Sequence, residues 1–379
     1  MTVRVRATVA ATAAVLSLAL AAPAFAAPAD RGHDATREAI RAAVADGVPG
    51  VTATARDTRG TWRATEGVGD LRTGAPRSAD DHYRIASITK TFVATVLLQL
   101  EAEGRLSLDD TVDEWLPGVV RGNGNDGRKI TLRQLLNHTS GLFDYTSDEE
   151  FQRRLFRPDG FFKHRYDHRD PADLVDLALT HEPDFAPGTS WNYSNTNYVL
   201  AGMVIEKVTG HSYGQEIDKR VIEPLGLDET SVPGDRTTVG APSSRAYSKL
   251  ADTATGPTYD VTRLNPTAAS SAGAMISDSA DLNRFVRALL GGRLLPPRQL
   301  KEMKTTISSP QFPNAAYGLG LIRYDLSCGV SVWGHSGGIH GSTSEAVATA
   351  DGRHSLALNF NGDWSGDSVA VIDAEFCAK

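Results

Sequence analysis

Apolar positions recur with different periods along the chain, and the changes of period divide it into elements. Residues 36–46 place Ile40 and Val44 at helical spacing. Residues 49–70 alternate as two strands about a turn at Thr58-Arg59-Gly60, which predicts a hairpin. In 87–104, Phe92, Val93, Val96, Leu97 and Leu100 follow the 3.6-residue period of a long apolar helix ended by Gly104. From 108 to 227 the pattern is one of short helices joined by Pro and Gly loops, with 132–138, 171–179 and 197–210 the clearest. Residues 230–268 are rich in Thr, Ser, Pro and Gly and lack a period, which predicts irregular chain. Residues 278–292 read as a capped helix with a glycine stop. Segments 317–327, 329–338, 342–350 and 354–361 then alternate as strands, with Asp351-Gly352 as a hairpin turn, and 366–379 ends as a helix.

This layout predicts an α+β fold. The two ends, 27–90 and 270–379, build one antiparallel sheet flanked by terminal helices. The middle, 91–269, builds a mainly helical lobe of the same discontinuous domain. A cleft between the lobes is the natural site.

The start of the chain changes where that domain is expected to work. Arg4 and Arg6 precede an apolar run over 7–22, and Ala24-Phe25-Ala26 supplies small residues two apart. This reads as a secretory signal peptide over 1–26. An uncleaved anchor is the rival reading, but Ala-rich runs are weakly apolar and a cleavage site follows. No later stretch reaches spanning length, so the mature chain is expected to be secreted, soluble and free of the membrane. Loss of Arg4 and Arg6 takes the net charge from -7 to -9, which argues against nucleic acid as partner. The only cysteines, Cys328 and Cys377, can pair in an exported protein and would pin the C-terminus; two buried thiols are the alternative.

Three short patterns carry chemistry. Ser87 and Lys90 are three apart at the start of the long helix, so they share a face. A serine is a poor nucleophile until a neighbour takes its proton, and an ammonium held among donors has a lowered pKa. A Ser three before a Lys arises by chance about once in such a chain, as an N-cap and a surface lysine. Here, however, Lys90 enters a helix that looks buried, where it needs a partner. Next, Tyr193 and Asn195, two apart in a loop, can relay a proton and hold Lys90 or a substrate amide; a core tyrosine before an Asn cap is the plainer reading. Last, His335 and Gly337 lie on one face of an alternating strand. Gly337 would let a substrate backbone lie close, and the N–H groups of Gly338 and Ser87 can form an oxyanion hole. Residues 334–338 also match G-x-S-x-G, but a strand and hairpin follow where that elbow needs a helix. His164 and His168 lack the company of metal ligands and read as solvent-facing, and neither metal nor cofactor is expected.

Together, Ser87-Ile88-Thr89-Lys90, Tyr193-Ser194-Asn195 and His335-Ser336-Gly337 resemble the S-x-x-K, Y-x-N and K/H-[ST]-G elements of the serine penicillin-recognising hydrolases. These comprise class C β-lactamases, DD-peptidases and related esterases. The resemblance extends over residues 35–379 through ITLRQLLNHTSGL, APGTSWNYSNTNYVLAGMVIEKVTG and SAGAMISDSADLNRF. It implies a β-lactamase/transpeptidase-like fold. Within the family the chain is similar to the secreted actinobacterial D-alanyl-D-alanine carboxypeptidases, which use His on the third element. That likeness implies an acyl-enzyme on Ser87, with Lys90, Tyr193 and His335 as its catalytic partners. Asn195, Ser336, Gly337, Gly338, Phe143 and Arg323 would contact the substrate or its oxyanion. D-Ala-D-Ala peptides of peptidoglycan and β-lactams would be the substrates, and the enzyme a monomer. The chain departs from that branch where Ser336 replaces Thr, where Gly338 lacks a side chain, where an aromatic before SAGA is replaced by Ala268 or Ala269, and where only Arg323 remains of a basic stretch. A carboxylate binds better with a cation nearby, so these departures leave open an esterase, a D-amino-acid amidase or a class C β-lactamase. A non-catalytic peptide-binding protein is the reading from another class.

Overall fold

The alternating segments at the two ends of the chain meet in one sheet. In a computed structural model that describes residues 32–251, 253–309 and 314–378, it has nine strands. They are β1 (Gly50–Arg56), β2 (Thr61–Asp70), β3 (Ala75–Pro76), β4 (Ile307–Ser308), β5 (Ala315–Tyr317), β6 (Ile322–Asp325), β7 (Ser331–Ile339), β8 (Ser342–Thr349) and β9 (Ser355–Phe360). Their spatial order is β4-β5-β6-β7-β8-β9-β1-β2-β3, with every neighbouring pair antiparallel. The seam between the two ends pairs Val51 with Phe360 and Arg56 with Ser355.

Helix α1 (Asp34–Ala45) opens the described chain. The long helix α2 (Thr89–Ala102) leads into the middle helices α3 (Leu132–Leu136), α4 (Glu149–Leu155), α5 (Pro158–His164), α6 (Pro171–Leu179) and α7 (Asn195–Thr209). Two further helices used below are α8 (Ser279–Leu290) and α9 (Ser368–Cys377). Because strand side chains alternate, each sheet face feeds a different apolar cluster. Val51, Ala53, Leu356, Leu358 and Phe360 pack with Ile40 of α1 and Val371 and Ile372 of α9. On the other face Ala346, Ala348 and Ala357 join Phe92, Phe285 and Leu289. Small residues there let α8 lie on the sheet, and Phe285 stacks on Phe92 with ring centres 3.6 Å apart. Cys328, in the turn between β6 and β7, is disulfide-bonded to Cys377 at the end of α9.

Three expectations need adjustment. Ser87 lies in a 3-10 turn, Ala86–Ile88, and α2 begins only at Thr89. Asn195 is the first residue of α7, not part of a loop. Helices α4 and α5 fall within the stretch expected to hold short helices but were not individually placed, since each is short and started by local chemistry: the Asp148 carboxylate accepts from the Phe151 N–H, and Pro158 opens α5. The expected signal peptide over 1–26 lies outside the described residues.

Candidate active site

The site is built around a strained turn. Ala86 holds φ at +47°, a left-handed conformation unusual for a residue with a side chain. Ser270 (φ +43°) and His138 (φ +62°) share that conformation and flank the same site. Such strain persists only where the surroundings enforce it. Strand β7 supplies part of that enforcement. A Cβ on Gly337 would stand 2.1 Å from the Ile85 carbonyl oxygen and 3.2 Å from the Ala86 Cβ. Gly337 is therefore bare so that the turn carrying Ser87 can lie against β7, not so that a substrate backbone can.

Lys90 projects one turn on from Ser87 and is fully buried. Its Nζ donates to Ser87 Oγ at 3.0 Å, Asn195 Oδ1 at 2.8 Å and the Ala272 carbonyl at 2.7 Å. Burial pushes its pKa down to about 7, against an opposing pull from the Asp144 carboxylate. The Tyr193 ring lies 4.8 Å from Lys90 Nζ, and its phenol hydrogen-bonds Ser87. Burial raises the Tyr193 pKa, so the phenol keeps its proton. The first two sequence elements thus converge on one hydroxyl.

The third element converges in part. His335 sits on β7, 2% exposed, with its ring centre 6.5 Å from that of Tyr193. Its Nε2 meets the Tyr317 hydroxyl at 2.8 Å and its Nδ1 meets the Ser336 carbonyl at 2.5 Å. Burial first, then the nearby Lys90 charge, lower its pKa to about 3, so the ring is neutral. Ser336 points to the opposite face and hydrogen-bonds Tyr324. Gly338 is exposed and, with Ser87, Tyr193 and Asn195, lines a cavity of about 260 Å³.

Two expected substrate contacts are not brought there. Arg323 lies on the opposite side of β6 from Ile322 and Tyr324, ion-paired with Asp325 at 3.0 Å, and is absent from the cavity wall. Arg323 pairs with Trp333 and so shares the sheet face of His335, but it stands one pair further from the nucleophile turn and its guanidinium turns to Asp325. Phe143 is likewise absent from that wall. Its ring stacks on His181 with centres 3.9 Å apart, while its carbonyl accepts from Ser194 and Thr196.

Other residues at the site carried no signal of their own. Asp144 accepts both Asn195 Nδ2 contacts, at 3.0 and 3.3 Å. His138 lies under Tyr193, ring centres 4.3 Å apart, and its Nδ1 meets the Ser194 N–H and Asn197 Nδ2. Both belong to the stretch 130–146, part of which looks family-like in sequence, yet nothing there marks which side chains turn inward. The Ala272 carbonyl is invisible to any side-chain pattern.

The family model for Beta-lactamase matches residues 36–374. A crystal structure of a D-stereospecific amidohydrolase from Streptomyces sp. superposes with a TM-score of 0.87 at 62% identity, covering 91% of this chain and 98% of that one. The D-amino acid amidase of Ochrobactrum anthropi SV3, complexed with L-phenylalanine, gives a TM-score of 0.77 at 29% identity, over 90% and 97% of the two chains. Penicillin-binding protein 4* of Bacillus subtilis (strain 168) is 28% identical over 302 residues, which span 76% of this chain but only 63% of that protein. The chain therefore belongs to the β-lactamase family, as a serine hydrolase of the β-lactamase/transpeptidase fold.

Proposed function

We propose that this chain hydrolyses amides of D-amino acids with apolar side chains by acylating Ser87. The observation that carries this reading is the wall of the cavity at Ser87. It is formed by Phe151, Leu155, Phe156, Phe161, Leu264 and Ile339, a lining suited to an aromatic or aliphatic side chain. A carboxypeptidase, by contrast, must hold a free carboxylate beside the scissile bond, and Arg323 is held away by Asp325. The cations that border the cavity, Arg165 and Arg169, follow α5 next to the aromatic wall and do not come from β6. The D-preference rests on likeness to the Streptomyces amidohydrolase.

The chemistry follows from the proton inventory. A neutral Lys90 amine has two N–H groups, which satisfy Asn195 and Ala272, and a lone pair left for the Ser87 proton. Ser87 Oγ then attacks the amide carbon while the Ser87 and Gly338 N–H groups hold the oxyanion. Tyr193, a protonated phenol bonded to Ser87, hands its proton to the leaving nitrogen as the C–N bond breaks. Lys90 reprotonates the phenol. Water then enters and attacks the acyl carbon as it loses a proton to Lys90, and Lys90 passes that proton to Ser87 Oγ as the acyl C–O bond breaks, which releases the acid and restores both residues.

The test is a rate comparison. D-phenylalanine amide should exceed L-phenylalanine amide in kcat/KM by on the order of 10²-fold, with turnover absent in Ser87→Ala. A faster rate on an acyl-D-Ala-D-Ala peptide would replace the amidase reading with the carboxypeptidase one. Penicillin recognition is a second reading, favoured by similarity to penicillin-binding proteins of Bacillus subtilis and Amycolatopsis lactamdurans. Under it, labelled penicillin forms an adduct on Ser87. We further propose export, supported by the N-terminal pattern and by the disulfide, which persists in oxidising surroundings. N-terminal sequencing of the mature protein should then begin near Ala27.

A further inference from the structure

We propose that Asp144 is a positioning residue for acylation, whose carboxylate orients the Asn195 amide toward Lys90 and sets a negative charge behind that amide. An amide side chain presents an oxygen at one end and an NH₂ at the other, and only the oxygen can accept from Lys90. The Asp144 oxygens take the Asn195 Nδ2 hydrogens at 3.0 and 3.3 Å, with Thr146 Oγ1 at 3.3 Å. That leaves Asn195 Oδ1 facing Lys90 Nζ at 2.8 Å. The reversed amide would set an N–H against the ammonium and an oxygen against a carboxylate. Asp144 is itself held by the Thr146 N–H at 3.1 Å, which closes the 3-10 turn Tyr145–Ser147.

The electrostatics add a second role. Burial lowers the Lys90 pKa and Asp144 raises it, so the two oppose each other at one amine. The other groups facing Lys90 do not supply charge. His138 and His335 have depressed pKa values and are neutral, and Tyr193 and Tyr198 have raised ones and stay protonated. Burial also raises the Asp144 pKa, so the two groups titrate as a pair in which each charge favours the other, and removing the Asp144 charge removes the charged partner of the ammonium. The base form of Lys90 then prevails at lower pH, but it is a weaker base, held by an amide free to flip.

This inference rests on activation of Ser87 by Lys90, not on the D-amide substrate. The probe is therefore a fluorophosphonate, which labels activated serines whatever the natural substrate. Its second-order labelling rate is followed against pH on the full chain, with Ser87→Ala as the site control. The wild type should rise through a midpoint near pH 7. Asp144→Asn, similar in shape but uncharged, should move that midpoint to lower pH by about one unit and lower the plateau about tenfold. Asp144→Glu, which keeps the charge, should return the midpoint toward that of the wild type. Asp144→Ser carries the same test where the amide variant does not fold. Superimposable pH profiles for wild type and the uncharged variants overturn the proposal, as does a shift in Asp144→Glu equal to that in Asp144→Asn. A wild-type chain that resists the probe altogether overturns the activation of Ser87 on which it stands. Turnover of D-phenylalanine amide bears only on the substrate reading, so the two failures are separable.

Discussion

A lysine removed from water loses the hydration that favours its charge, and Lys90 is fully buried. Its pKa of about 7 means that the neutral, proton-accepting amine grows as pH rises through neutrality. Acylation should therefore fall away on the acid side of about pH 7. His335, with its pKa lowered to about 3, does not titrate there, so the limb belongs to Lys90 and the Asp144 carboxyl coupled to it. Lys90→Ala should cut the acylation rate by about 10²–10⁴-fold and abolish the limb, as measured by stopped-flow or labelling kinetics. At this scale the sequence was most informative. Ser87 and Lys90 meet as their spacing implied, because neighbours three apart meet through local geometry, whereas Tyr193 and Asn195 reach them only by packing across 105 residues of sequence. His138 and Asp144 were not legible, since their contacts run to residues 51–59 positions away.

Between elements, the critical contact is β7 against the Ala86–Ile88 turn. Gly337 leaves no room for even one methyl group, and the atom it would strike is backbone, which cannot swing aside. Gly337→Ala should separate the strand from the turn and reduce labelling of Ser87 by about 10²-fold or more, because misplacement of about 1 Å has that effect. Circular dichroism should still show a folded chain, since β7 retains its pairing with β6 and β8 along its remaining length. The periods in the sequence announced β7 as a strand and placed His335 and Gly337 on one face. They could not say that the face meets the nucleophile turn and not a substrate. Arg323 shows the same limit on a shorter strand: it shares the face of Trp333 and His335, yet its pairing position and its ion pair with Asp325 keep it from the cavity.

Over the whole molecule, the chain ends are what hold the sheet closed. β1 pairs with β9 across about 300 residues of sequence, and Cys328–Cys377 ties α9 to the turn beside β7. The bond closes a loop of 49 residues, so replacing both cysteines with serine should destabilise the oxidised protein by about 2–4 kcal/mol in urea unfolding. The helical middle with α2 forms one apolar cluster, and the sheet with α1 and α9 forms another. The α+β class and the order of most elements could be read from hydrophobic period, because period reports which side of a segment avoids water. The same is true of Ser87 with Lys90, which local geometry brings together, while Tyr193 and Asn195 join them only through packing. Three further matters were settled only when distant segments packed. They are the orientation of the Asn195 amide, the removal of Arg323 and Phe143 from the cavity, and the aromatic wall that α4 and α5 contribute to it. Each depends on which surfaces exclude water from one another, and no single stretch of sequence carries that information.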